Sequence, residues 1–183
     1  MADRPIPMSG PMVLAILTGR KHQTRRTMNT AVAKSVEPGD RLWVREAFRG
    51  ARGYDDQSPL QFGNKPVWYE ADGDPDPLTW AFLSDRVRPA MFMPQTLARI
   101  WLEVDAVRTE RLQDITAEDA KEEGLAWVPP SWGVPGFDRS WHQDPVLAFR
   151  GLWDSIHKRG GNNTGYRWGN NPEVTVISFR RWA

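Results

Sequence analysis

The sequence predicts a mixed α/β domain (α+β), and three observations carry that reading. Ile100 to Val107 alternates, with Ile100, Leu102, Val104 and Ala106 on one side and charges on the other, the pattern of a half-buried strand. Two segments read as capped helices: Thr116 to Gly124, and the stretch opened by Asp144-Pro145. Val174 to Phe179 is apolar on both faces, as a strand inside a sheet must be. At 183 residues, 40% hydrophobic and 26% charged, a single domain over 1–183 accounts for the chain.

The composition narrows the function classes. No run of about 18 apolar residues exists to span a membrane. The N-terminus, with Asp3, Arg4 and two early prolines, lacks the apolar stretch of a secretory signal, so a cytoplasmic protein is expected. In that compartment the sequon Asn162-Asn163-Thr164 carries no weight. Cysteine is absent, which excludes disulfides, thiol nucleophiles and thiolate metal sites. The formal net charge of +1 argues against a long duplex as partner, because holding one takes a strongly basic face. One nucleoside or a short single-stranded element suits this charge better.

Met12 to Leu17 has Met12, Val13, Ile16 and Leu17 on one side of a helix, with Ser9 before Pro11 as a start and Gly19 as a stop. Gly19 to Arg26 then reads Gly-Arg-Lys-His-Gln-Thr-Arg-Arg. Cations at a helix C-terminus stabilise it by ~0.3–1 kcal/mol each, which explains some of that charge. The spacing Gly19-x-Lys21-x-x-Thr24-x-Arg26 carries more. In an extended segment Thr24 and Arg26 share a face, with Lys21 at the bend, so a hydroxyl, an amine and a guanidinium converge. Arg20 and Arg25 thicken the positive charge around them.

A polar linker to Glu37 leads to Pro38-Gly39, suited to the centre of a type II turn. A strand follows, with Leu42 and Val44 on its apolar face, and Glu46 closes it as either an ion-paired strand end or a substrate contact. Residues 49–98 form an irregular insertion with one strand near Val67–Ala71, either a lid over a pocket or a surface excursion. Thr116 caps the next helix, Ile115 staples against Ala120, and Gly124 stops it. Glu122 and Glu123 fall in the last turn, where the macrodipole disfavours acids, a local conflict that points to use.

A second irregular insertion, 126–143, holds Trp127, Trp132 and Trp141. A tryptophan on a loop is either a cover for the core or a platform for a base, the latter worth ~1–3 kcal/mol, and Trp127 is the stacking candidate. Leu147, Phe149, Leu152, Trp153 and Ile156 supply the buried side of the following helix, read as structural. Gly160 to Asn163 is a flexible loop without a phosphate-binding glycine pattern. His22, His142 and His157 lack ligand spacing, so neither a metal site nor a cofactor is inferred.

Three short segments together resemble the ASCH family of the PUA-like superfamily: Gly19-x-Lys21-x-x-Thr24-x-Arg26, Pro38-Gly39-Asp40-Arg41-Leu42-Trp43-Val44-Arg45-Glu46, and Trp168-Gly169-Asn170-Asn171-Pro172-x-Val174-x-Val176-Ile177-x-Phe179. The last is similar to ASCH-like proteins common in phages and prophages, for which the location would be a host cytoplasm. The resemblance implies a small, partly open PUA-like β-barrel with helices packed at its rim. In the branch that hydrolyses N4-acylated cytidines, the lysine and threonine of the motif work with a glutamate on the helix after a central strand. Matching Leu112, Thr116 and Ala120 to that helix places the glutamate at Glu123, with Glu122 as the alternative.

Two functions follow as expectations. The first is a module binding a nucleobase, modified nucleoside or short single-stranded RNA or DNA, with Lys21 and Glu123 on base edges, Arg25 or Arg26 on a phosphate and a loop tryptophan stacking. The second is an amidohydrolase, with Thr24 as nucleophile, Lys21 as its base and Glu123 returning the proton. Bringing a lysine from ~10.4 to ~7 takes about 4.6 kcal/mol of differential interaction. A variant in which Glu123 activates water and Lys21 stays charged avoids that demand. Phosphodiester cleavage of RNA by Lys21 and an arginine ranks lowest, since no acid/base pair of histidines is evident.

Overall fold

The structure, a computed structural model, describes residues 1–137, 140–157 and 164–182. The expected loop at Gly160–Asn163 lies outside the described residues. Five strands form the main sheet in the order β1 (Asp3–Pro7), β3 (Arg41–Arg45), β6 (Trp101–Arg111), β9 (Glu173–Arg181), β2 (Gln23–Thr27). Only β1 and β3 run parallel; the other pairs are antiparallel. No closed barrel forms among the described residues: the sheet is mixed α+β in setting and open, with β1 and β2 at its edges. The edge position of β1 explains how Pro5 and Pro7 sit in a strand that the sequence did not announce.

Helix α1 (Gly10–Leu17) buries Met12, Val13, Ala15 and Ile16 and ends at Gly19, whose φ of +67° takes the chain into β2. The linker after β2 is more ordered than expected, because Thr30 caps a short helix α2 (Ala31–Ser35). Gly39 has a φ of +86° and Asp40 N–H donates to Glu37 C=O at 3.1 Å, as the predicted turn requires. In β6 the alternation breaks after Val104. A bulge between Val104 and Ala106 turns Ala106 outward, so it leaves the buried face assigned to it.

Residues 49–98 are not featureless. The pair β4 (Phe48–Arg49) and β5 (Trp68–Tyr69), with helix α3 (Pro77–Phe82) and several short 3₁₀ turns, surrounds a second small core of Phe48, Phe62, Met93 and Leu97. In the second insertion, β7 (Ala126–Val128) and β8 (Ser131–Gly133) make a hairpin. Helix α4 (Ala117–Glu122) is capped by Thr116 and terminated by Gly124, and the Asp144 carboxylate caps α5 (Pro145–His157) by accepting from Val146 and Leu147 N–H. Helix α5 buries Ala148, Phe149, Leu152 and Trp153, whereas Leu147 and Ile156 are exposed, contrary to the buried side assigned to them.

Candidate functional site

The chain ends of α1 and α4 meet at the start of β2. Lys21 and Glu123 pair as an isolated antiparallel bridge, and His22 N–H donates to Glu122 C=O at 3.0 Å. This close approach depends on Gly124. Its φ is +102°, and a Cβ there would lie 2.9 Å from Ala15 Cβ and 3.3 Å from Lys21 Cβ. Arg20 does not reach the site; its guanidinium donates to Gly124 C=O at 3.2 Å and to Thr18 Oγ1, holding the turn from outside.

Lys21 is buried, and its ammonium donates to three acceptors at 2.8 Å each: Gln23 C=O, Glu123 C=O and Glu123 Oε2. Burial pushes the Lys21 amine below the ordinary lysine range, and the Glu123 carboxylate opposes that push. Three acceptors around one nitrogen match the three N–H groups of the charged form. Glu123 Oε1 accepts from Arg25 Nη1 at 3.2 Å, so both oxygens of this buried carboxylate are engaged. Glu122, the alternative, contributes backbone only.

Arg25 is fully enclosed and contacts two further carboxylates, Glu110 at 2.6 Å and Asp119 at 3.2 Å, with Arg108 on the far side of both. Burial pushes the Asp119 carboxyl up, but Arg25, the Gln23 amide and Arg108 together hold it below the usual carboxylate range. Arg25 is thus the hub of a network that fixes Glu123 in place. A residue so committed positions the pair and has little left to offer a phosphate.

Beside this network lies a cleft of about 130 Å³. Its polar lining is Lys21, Thr24, Arg25, Arg26, Thr27, Thr30 and Glu123, with His157; its apolar lining is Met8, Met12 and, from α5, Phe149, Leu152, Trp153 and Ile156. That volume holds several waters at ~10–15 Å³ each, the scale of a single nucleobase. Thr24 is buried at the wall, and its hydroxyl makes no hydrogen bond to a described residue. Arg26 Nη2 donates to Pro7 C=O at 3.0 Å, which ties the β2 edge to the end of β1, while its enclosed Nε has no partner.

His157 and the α5 wall carry features that the sequence reading left as structural or dismissed. Nδ1 of His157 lies 2.9 Å from Trp153 C=O, and the two rings stack at 4.1 Å. Since a carbonyl only accepts, Nδ1 carries the hydrogen and Nε2 is left bare. Burial holds His157 below the ordinary imidazole range. The i, i+4 spacing of Phe149, Trp153 and His157 was the available signal. Glu46 lies elsewhere, buried and accepting from Nε and Nη2 of Arg99 at 2.9 and 2.8 Å. Trp127 is also outside the cleft, half-exposed on the β7–β8 hairpin and tilted against Trp132 at 5.3 Å. Neither is brought to Lys21.

Among the described residues no cluster of three or more His, Asp or Glu side chains is arranged to hold a metal, and no helix is long and apolar enough to cross a membrane. No protein-family model and no curated protein matches the sequence. Among solved structures, the fold is similar to an ASCH domain from Lactobacillus crispatus JV V101, with a TM-score of 0.48 and 11% identity over 98% of this chain and 79% of that one. It is also similar to protein EF3133 from Enterococcus faecalis V583, of family DUF984, with a TM-score of 0.46 and 9% identity over 98% of this chain and 75% of that one.

Proposed function

We propose that the cleft binds a nucleobase or modified nucleoside, free or at the end of a short single strand. One observation carries this reading: a buried, fully hydrogen-bonded Lys21–Glu123 pair lines a base-sized cleft together with the aromatic side chains of Phe149 and Trp153. A flat heterocycle has apolar faces and hydrogen-bonding edges, and this cleft offers a counterpart for each. The Thr24 hydroxyl, free to donate or accept, meets an edge. The motif resemblance to ASCH domains supports the same reading. Titrating the protein with cytidine, uridine, adenosine and guanosine while following tryptophan fluorescence tests it, because Trp153 lines the cleft. Saturable quenching that Lys21→Ala abolishes is the expected result; no response to any nucleoside or base sinks the idea.

A second reading, hydrolysis of an N4-acylated cytidine, is favoured by one specific feature. Lys21 gives its three N–H groups to three acceptors and makes no hydrogen bond to Thr24, which does not suit a base for a threonine nucleophile and favours water activated by Glu123, the ammonium contributing its charge alone. In that scheme Glu123 takes a proton from water as the water oxygen bonds to the acyl carbon. The C–N bond then breaks, and Glu123 returns the proton to the leaving amine. Incubation with N4-acetylcytidine and chromatography of the products tests it. Release of cytidine by the parent and by Thr24→Ala, but not by Glu123→Gln, is expected; if Thr24→Ala is as inactive as Glu123→Gln, the water route fails.

A further inference from the structure

The cleft contains a cation that has no ion pair of its own among the described residues and that Glu123 attracts only through space. Lys21 is paired with Glu123, and Arg25 with Glu110, Asp119 and Glu123. Arg26 forms no ion pair among the described residues, although it lines the same cleft. Its Nη2 serves the Pro7 carbonyl and touches Met8 Sδ at 3.3 Å. That strut leaves the enclosed Nε–H without an acceptor. The enclosed Nε–H is an orphaned donor on a half-buried guanidinium that has no ion pair, and one bound oxyanion serves both.

His157 lines the same cleft, near enough to feel the charge of Arg26, with Nδ1–H committed to Trp153 and Nε2 bare. In the unliganded protein Arg26 disfavours a proton on it. An anion seated between the two side chains screens that repulsion and favours the imidazolium, which then donates a second charge-assisted bond. The other charged groups of the cleft, Lys21, Arg25 and Glu123, belong to the closed network, and Asp154 is the acidic neighbour on the histidine's own helix.

We propose that Arg26, flanked by His157, forms an oxyanion subsite for a phosphate attached to the nucleoside, so that the ligand is a nucleotide or a strand terminus. The proposal rests on the nucleobase reading of the cleft, and the experiment separates the two. The full chain is titrated calorimetrically with cytidine, CMP, the dinucleotide CpC and inorganic phosphate, at low and high salt, alongside Arg26→Gln and Arg26→Lys.

CMP is expected to bind at least about tenfold tighter than cytidine. The gain of CMP over cytidine should shrink with salt, be lost in Arg26→Gln and be partly kept in Arg26→Lys. Proton uptake on binding CMP, read from the buffer dependence of the heat, is expected from His157. CpC against CMP distinguishes a strand's diester from a terminal monoester. Equal affinity for cytidine and CMP, or a phosphate preference that survives Arg26→Gln, overturns the subsite while leaving the nucleobase reading intact. Inorganic phosphate binding through Arg26 with no affinity for cytidine or CMP overturns both, leaving an anion site that recognises no nucleoside. Thermal melting of Arg26→Gln beside the parent separates loss of the Pro7 strut and of the fold from loss of the site.

Discussion

Lys21 Nζ lies 2.8 Å from Glu123 Oε2, although the two residues are 102 positions apart in the chain, and both side chains are buried. The pair joins the segment leading into β2 to the end of α4. Its removal should be felt in stability as well as in binding. Breaking a buried pair from one side typically costs about 3–5 kcal/mol. Lys21→Ala is expected near the lower figure, because Glu123 keeps Arg25 at 3.2 Å. Glu123→Ala should be the more damaging, since it leaves Lys21 with carbonyls alone. Urea denaturation of both variants checks the order.

Gly124→Ala should destabilise the protein and weaken ligand binding together. The new methyl group meets Ala15 and Lys21 in a backbone conformation that alanine avoids. A loss of about 1–3 kcal/mol is expected, with Gly19→Ala as the comparison: its φ is +67°, but no atom lies within 4 Å of the added carbon. If Gly19→Ala proves as harmful to binding as Gly124→Ala, crowding against Lys21 is not the cause.

Asp40 predicts the acid limit of the fold. Hydrogen bonding from Arg4, and from the Ala2 and Glu37 N–H groups, holds its carboxyl below the ordinary aspartate value. The native state therefore binds the proton less readily than the unfolded chain. The stabilisation is present above the ordinary value of 3.8 and is lost as pH falls through the depressed one. Asp40→Asn should lower the melting temperature at neutral pH and flatten the acid side of the profile. An unchanged acid slope would place the effect in other carboxylates.

His157 acts on the same side at higher pH. With its folded pKa held below the ordinary 6.5, the unliganded protein should lose stability as pH falls through the low sixes and below. His157→Gln should remove that part of the slope. The measurement is chemical denaturation across pH ~7 to ~5, where the Asp40 contribution is still intact.

Local signals in the sequence were read well where one or two residues decide the outcome. Gly19 and Gly124 have the positive φ that ends each helix, and Thr116 and Asp144 accept the capping hydrogen bonds. Features set by partners far along the chain were not legible. Ala106 faces outward because β6 takes an extra residue against β9, which no alternation pattern reveals. The prolines of β1 concealed a strand that only an edge position permits. Lys21, Thr24, Arg26 and Glu123 share the cleft that their spacing suggested, but Arg25 is consumed by carboxylates and Arg20, Glu46 and Trp127 lie away from it. Trp153 and His157 looked structural because nothing local reveals that α5 lines the same cleft as β2.

The small core of Phe48, Phe62, Met93 and Leu97 is separate from the main one, which contains the cleft's Met8, Met12, Phe149, Leu152 and Trp153. Amide exchange should therefore divide the molecule. A ligand in the cleft slows exchange in β2, α4 and α5, whose opening must break the site, in proportion to its occupancy. Residues 49–98 open around their own apolar centre, so their exchange is expected to keep its unliganded rate. The chain would then behave as two units of different stability, of which only one is linked to what the cleft holds.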